Sequence, residues 1–274
     1  MTTAQRQKTA LITGASSGIG YELTQLFARD GYDLVLLARD GYDLVLLARS
    51  QARLAQLADD LRHRYGVAVR VLAYDLAQPG APTQIVARLQ QEGLTIEALV
   101  NNAGFATYGP FLATDLAAEL EMIQVNVVAL TQLTKLLLPG MLQRRSGRIL
   151  NVASTAAFQP GPLTAVYSAT KAYVLSFSEA LANEVRGSGV RVTALCPGPT
   201  RSGFQRRAQM EDSHLVRGEL MDAATVARAG YAGLMQGRTV VIPGLRNRLL
   251  VEVVRFTPRA LVTQVVRRMQ ERVS

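Results

Sequence analysis

The sequence predicts one doubly wound α/β domain, a parallel sheet covered by helices on both faces. Three observations carry this. Strand-length apolar runs alternate with helix-period segments along nearly the whole chain, the pattern of parallel strands joined by crossover helices. A glycine-rich turn, TGASSGIG (Thr13–Gly20), sits where the first strand meets the first helix. No linker-like composition divides the 274 residues, and that length suffices to bury a substantial core.

Each element has a local reason. TALIT (Thr9–Thr13) is a short buried-strand run, and Gly20–Arg29 is helical. The second strand is YDLVLLA, which occurs twice: Ala28–Arg39 recurs unchanged as Ala38–Arg49, so residues 30–49 are a tandem of two ten-residue units. Repeat architectures use units of roughly 20 residues or more and at least three of them, so this is a local duplication inside another fold. Ser50 is expected to cap SQARLAQLADDLRHRY, with Leu54, Leu57 and Leu61 on one face. Strands at Val67–Ala73, Ile96–Asn101, Arg148–Val152 and Val190–Cys196 alternate with helices at Pro82–Glu92, Leu116–Leu138 and Tyr167–Val185. A polar stretch, Arg201–Asp222, leads to helix Ala223–Met235 and a last short strand, Thr239–Ile242. From Leu245 to Ser274 seven Arg and two Glu interleave with aliphatics at helical spacing, and Pro258 should divide this segment into two helices. The expected organisation is a domain over residues 1–244 and an amphipathic helical tail over 245–274. The tail packs on the domain or a second subunit, with peripheral membrane contact as its alternative use.

Composition removes several classes of function. The net charge is +9, and of 30 basic residues only Lys8, Lys135 and Lys171 are lysines. The arginines are scattered and there is no Trp, so no nucleic-acid surface is expected. A lone cysteine, Cys196, excludes an intrachain disulfide and fits a reducing, cytoplasmic setting. His63 and His214 are too few and too far apart for zinc, and no metal is expected. No run of 18 uninterrupted apolar residues occurs, and the first residues carry no apolar leader.

The turn Gly14-Ala15-Ser16-Ser17-Gly18-Ile19-Gly20 has the chemistry of an anion cradle. Glycines tolerate unusual dihedrals and let the backbone approach a ligand. The helix that follows offers unpaired N–H groups and the positive end of its dipole. The glycine spacing departs from G-x-G-x-x-G, but the strand–turn–helix context supports a dinucleotide pyrophosphate.

Tyr167 and Lys171 lie four apart on one helix face. A phenol titrates near 10, and a nearby cation should lower that value toward neutrality, where proton transfer is efficient. Lysine at this position in an arginine-rich chain also supplies a compact ammonium able to bond ribose hydroxyls. Ser154, thirteen residues before Tyr167, closes the fifth strand and can share an oxygen with the phenol. Asn126 stands among apolar helical neighbours (MIQVNVVAL), where an amide must be bonded.

TGASSGIG, Asp75-Leu76, NNAG (Asn101–Gly104), Asn126, Ser154, YSATK (Tyr167–Lys171) and CPGPT (Cys196–Thr200), in this order, closely resemble the classical group of the short-chain dehydrogenase/reductase family. The resemblance runs from about Thr9 to the last strand. It implies a Rossmann-type domain with a seven-stranded sheet in the order 3-2-1-4-5-6-7, an NAD(P) cofactor, and interconversion of a carbonyl and a secondary alcohol. By resemblance Tyr167 is the general acid/base and Ser154 orients the substrate oxygen. Lys171 tunes Tyr167 and holds the ribose, while Asn126 supports a relay water. The cofactor would lie on Gly14, Ser16, Ser17, Gly18, Ile19 and Gly20, with Asp75 and Leu76 at the adenine. Asn102, Ala103, Gly104, Pro197, Gly198 and Thr200 complete its contacts. Relatives pair the Leu116–Leu138 and Tyr167–Val185 helices into homodimers or homotetramers. The alternative class is a non-catalytic nucleotide sensor or scaffold of the same fold.

Both copies of the duplicated strand end in Arg and neither in an acid, so NADP(H) is preferred over NAD(H). Spacing from Gly20 favours Arg39, and continuity into Ser50 favours Arg49. Placing the second copy in the sheet would put the surplus residues away from the chemistry, so Arg49 is expected at the ribose. Phe158, Pro160, Pro162 and Leu163 either line an apolar substrate pocket or serve ordinary packing, and by resemblance Arg201–Asp222 is the substrate lid.

Overall fold

In the computed structural model the described residues are 8–38, 47–218 and 220–272. Strands β1 (Thr9–Thr13), β2 (Asp33–Ala38), β3 (Val69–Ala73), β4 (Ile96–Asn101), β5 (Gly147–Val152), β6 (Val190–Leu195) and β7 (Val240–Val241) form one sheet. Its order is β3-β2-β1-β4-β5-β6-β7, every pairing parallel. The predicted seven-stranded, doubly wound arrangement is therefore the observed one. A two-stranded pair, Thr200–Arg201 with Met221–Asp222, lies outside this sheet.

Alternation along the strands divides the core into two layers. Ala10 and Ile12 of β1 and Leu34 and Leu36 of β2 face a cluster with Leu23 and Phe27 of α1 (Gly18–Arg29). The same cluster holds Leu54 and Leu61 of α2 (Leu47–Tyr65). Leu11, Val35 and Leu37 face the other way, against Ile85 and Leu89 of α3 (Ala81–Gln91) and Leu133 of α4 (Leu116–Gln143). Helices α5 (Ala165–Glu184) and α6 (Ala223–Gln236) complete opposite layers, Leu181 on the α4 side and Leu234 on the α1 side. Each fully buried Leu of these layers contributes on the order of 1.5–3 kcal/mol. The chain order reverses between β1 and β4, which opens a crevice at their carboxyl ends.

The first copy of the duplicated segment forms β2, which corrects the expectation that the second copy does. Thr9–Thr13 pair in register with Asp33–Leu37. The anchors precede the strand and belong to copy one. Gly31 turns the chain at φ +76°, and Asp33 N–H donates to the Lys8 carbonyl at 2.8 Å. Ala68 N–H donates to Asp33 Oδ1 at 2.9 Å, and the Phe27 ring packs edge-on against Tyr32. With helix α1 ending so close to copy one, the surplus falls after β2. Arg49 accordingly sits in the first turn of α2 instead of ending a strand, and Ser50 is inside that helix instead of capping it. Arg39 follows β2 directly and lies outside the described residues.

Helix α4 is longer than the apolar period indicates, and it contains a π-helical segment at Gln124–Ala129. By length and a mean hydropathy of 1.4 it is the one helix among the described residues that could cross a membrane; here it packs on α3, β4 and β5. The tail forms α7 (Leu245–Phe256) and α8 (Arg259–Gln270), with Pro258 between them. Val262, Val266 and Gln270 bury one face of α8 against the domain.

Candidate active site

The site is built on the crevice between β1 and β4. Thr13 ends β1, and its hydroxyl donates to the Val100 carbonyl while accepting from Asn102 N–H and Ala103 N–H, both at 2.9 Å. Asn102 Nδ2 returns bonds of 3.0 Å to the carbonyls of Thr13 and Gly14. The turn and the NNAG segment thus brace each other. Gly14 adopts φ +65°, and a Cβ there would press within 2.8 Å of Asn102 Nδ2. A Cβ at Gly20 would overlap the Gly14 carbonyl. Glycine is required at both positions by close backbone approach. Ser17, the residue before α1, makes no side-chain cap, so the first N–H groups of that helix remain available to an anion.

A cavity of about 850 Å³ runs from this turn across the strand ends. Gly14, Ser16, Ser17, Gly18, Ile19, Asp75, Leu76, Asn102, Ala103 and Gly104 line one part of it. Ser154, Tyr167, Lys171, Pro197, Gly198 and Thr200 line the rest of the expected set. The structure therefore brings the sequence-selected residues to one cleft, with Gly20 behind the turn and Asn126 apart from the cavity wall; the Arg49 side chain lies outside the described residues. Asp75 Oδ1 accepts from Ala77 N–H at 2.9 Å, which fixes its carboxylate at the end of β3.

Ser154 and Tyr167 line the same cavity, near enough for the serine hydroxyl to lower the phenol's value. Ser154 Oγ accepts from Ala156 N–H at 3.1 Å, which leaves its proton to donate. Burial pushes the Tyr167 phenol up to about 12, and nearby Ser154 pulls it only partly back. Burial also lowers Lys171 to about 8. Its ammonium donates to the Val152 carbonyl at 2.8 Å and stands 5.7 Å from the centre of the Tyr167 ring. The expectation that this lysine lowers the phenol is not met within the protein alone, because desolvation outweighs a cation held at that distance by strand β5.

Asn126 explains its own presence. In the π segment its side chain exchanges bonds with the Phe105 backbone, donating at 3.0 Å and accepting at 3.2 Å, and Nδ2 also donates to Thr170 Oγ1 at 3.1 Å. A Cβ on Gly104 would come within 2.8 Å of Asn126 Oδ1 and 3.5 Å of Lys171 Nζ, so this glycine lets helix and strand end meet. Cys196 is buried, and burial raises its thiol to about 12, which keeps it neutral and inert. Among the described residues no group of His, Cys, Asp or Glu could hold a metal ion.

The far end of the cavity differs from the expectation. Phe158, Pro160, Pro162 and Leu163 do not border it; Phe158 instead packs beside Ala153, Val174 and Cys196. The apolar wall is Phe105, Phe204, Met210, Val216, Val266 and Met269. The last two come from α8, whose buried Val262–Val266–Gln270 face at spacing four was the available signal.

Comparison with known proteins decides the family. A family profile described as short chain dehydrogenase matches residues 8–213. The chain belongs to the short chain dehydrogenase family. Among solved structures, a short-chain dehydrogenase from Sphingobium yanoikuyae in complex with NADPH is 35% identical, with a TM-score of 0.79 over 93% of this chain and 94% of that one. A bulky-bulky ketone specific alcohol dehydrogenase from Comamonas testosteroni is 30% identical, with a TM-score of 0.74 over 91% and 92%. A very-long-chain 3-oxoacyl-CoA reductase from Phaeosphaeria nodorum is 37% identical over 67% of this chain. The match spans 60%, 52% and 63% of the lengths of three curated relatives in the family.

Proposed function

We propose that this short chain dehydrogenase is an NADP(H)-dependent oxidoreductase that interconverts bulky apolar ketones and their secondary alcohols. The carrying observation is the Ser154–Tyr167–Lys171 group on one wall of a cleft that begins at the N-terminus of α1. The cradle fits a dinucleotide: Gly14 leaves a space a Cβ would fill, and Gly18 at φ +55° opens the turn toward Ser202. Gly14, Ser16, Ser17, Gly18 and Ile19 would hold the pyrophosphate, Asp75 and Leu76 the adenine, and Tyr167 and Lys171 the ribose. Asn102, Ala103, Gly104, Pro197, Gly198 and Thr200 would flank the remainder. When bound, the nicotinamide donates or accepts the hydride.

Tyr167 gives the proton to the carbonyl oxygen in reduction and takes it back in oxidation. Ser154, its lone pair engaged by Ala156 N–H, donates to the same oxygen and orients it. Asn126 positions Phe105 and the Tyr167 helix through Thr170 and supports the proton relay behind Lys171. The absence of an acid at the end of β2, with Arg39 next in the chain, supports NADP(H) over NAD(H). The apolar wall supports a bulky ketone, in keeping with the names of the Comamonas and Phaeosphaeria relatives.

The test is NADPH oxidation over a ketone panel by the wild type and Tyr167→Phe. Turnover in the wild type and a loss of about 10²–10⁴-fold in the variant is expected. Tight NADPH binding with no turnover of any ketone would identify a nucleotide sensor instead. Helix α7 exposes Leu245, Leu249, Val253 and Phe256 together with Arg246, Arg248 and Arg255, which supports peripheral contact with an anionic lipid surface. Co-sedimentation with phosphatidylserine vesicles, lost at high salt, is the expected result; no sedimentation at low salt refutes it.

A further inference from the structure

Helix α8 contributes one polar side chain to an otherwise apolar end of the cavity. Gln270 lines it and is only 6% exposed. Its Oε1 accepts a hydrogen bond from Thr164 Oγ1 at 2.9 Å, and its backbone carbonyl accepts one from the Tyr108 hydroxyl. The two residues beyond it tie the helix end to the lid: Glu271 O accepts from His214 N–H at 3.1 Å, and Arg272 pairs with Ser213. The side-chain amide is held through its oxygen, while Nε2 has no hydrogen-bond partner among the described residues and keeps accessible surface at the cavity wall. An amide donor at a cavity wall is met by water until a ligand supplies an acceptor in its place.

We propose that Gln270 is a substrate-positioning residue: its Nε2 donates to a second acceptor oxygen, remote from the reacting carbonyl, on a largely apolar ketone. The substrate class this selects is a keto ester, keto thioester or diketone over a simple alkyl ketone. The inference rests on the oxidoreductase reading above and names the substrate class for that site. Neither the hydride nor the proton passes through Gln270; its bond holds the substrate's tail so that the carbonyl meets Ser154 and Tyr167.

The experiment compares ethyl benzoylacetate with hexanophenone, which has the same chain without the ester group. Kinetics are measured on the full-length protein with NADPH for the wild type, Gln270→Met and Gln270→Glu. Glu keeps the acceptor for Thr164 and removes the donor, so it controls for loss of the latch. Both variants should raise KM for the keto ester by about tenfold, as for one lost hydrogen bond, with kcat changed by less than about twofold. KM for hexanophenone should stay within about twofold of the wild type. Equal KM changes for both ketones, no change for either, or a fall in kcat with both overturns the proposal. Ligand-induced Tm shifts read binding without turnover. A wild-type preference for the keto ester that vanishes in both variants supports the assignment even if no ketone is reduced, in which case the oxidoreductase reading fails alone. Reduction of both ketones without that preference leaves the oxidoreductase reading standing and removes this one.

Discussion

At Tyr167 the cavity walls push the phenol up to about 12, and at Lys171 the same loss of solvent brings the ammonium down to about 8. The two shifts act on stability in opposite pH windows. The folded Lys171 value lies below its ordinary 10.5, so between about pH 8 and 10.5 the unfolded chain holds the extra proton and stability rises with pH. The folded Tyr167 value lies above 10, so from about pH 10 to 12 the folded chain holds the extra proton and stability falls. Relative to Lys171→Met, the wild type should gain about 3 kcal/mol across the first window, measured by urea midpoints at fixed ionic strength. A pH-independent difference between the two proteins would show that Lys171 titrates normally. The same phenol decides the activity profile. Protonated near neutrality, it is poised to donate, so ketone reduction should be flat between about pH 6 and 8. Alcohol oxidation needs the phenolate and should climb by about tenfold per pH unit over that range. A climbing reduction rate with flat oxidation would reverse the assigned roles.

Among the elements, the duplicated strand shows what local pattern can and cannot decide. Two identical copies have identical propensity, and the anchors Gly31 and Asp33 recur as Gly41 and Asp43, so only position in the chain separates them. Copy one follows directly on α1, which ends at Arg29, and it is the copy that pairs with β1. The second copy therefore follows β2 in the chain, and its last residues, Leu47–Arg49, open α2. Deleting residues 40–49 should tighten NADPH binding by about tenfold and leave kcat unchanged, read by fluorescence titration and saturation kinetics. Equal affinity and equal Tm in both forms would show that the insertion is silent. Elsewhere the site was legible where its geometry is local. Tyr167 and Lys171 are one helical turn apart, the glycine turn joins adjacent elements, and Ser154 follows two residues after the end of β5. The spacing of Val262, Val266 and Gln270 marked a buried helix face but not a cavity wall, because the contact with Thr164 spans 106 positions and no spacing rule reaches that far. The π segment at Asn126 was visible only as an amide in an apolar helix, since periodicity does not register one widened turn.

For the molecule as a whole, the unsettled surface is the outer face of α4 and α5. Leu116, Leu120 and Leu136 are 68%, 56% and 41% exposed, and Tyr173 on the neighbouring helix is 40% exposed. Tyr173 is not loose: it accepts or donates a 2.9 Å bond with Thr131 and stacks on Phe177 at 5.8 Å. An ordered aromatic beside a leucine stripe suits a self-complementary two-fold contact, where each copy's stripe covers the other's. Such a contact needs about 800 Å² per partner. The same helices carry Asn126 and Tyr167, so pairing would also stiffen the catalytic wall from outside. The wild type should run as a dimer or tetramer by light scattering, with a Tm that rises with protein concentration. Leu120→Arg should give a monomer whose Tm no longer depends on concentration and lies below that of the wild type. A wild type that is already monomeric at about 0.1 mM, with unchanged behaviour in the variant, would leave the stripe to some other partner and remove self-association from the account of this fold.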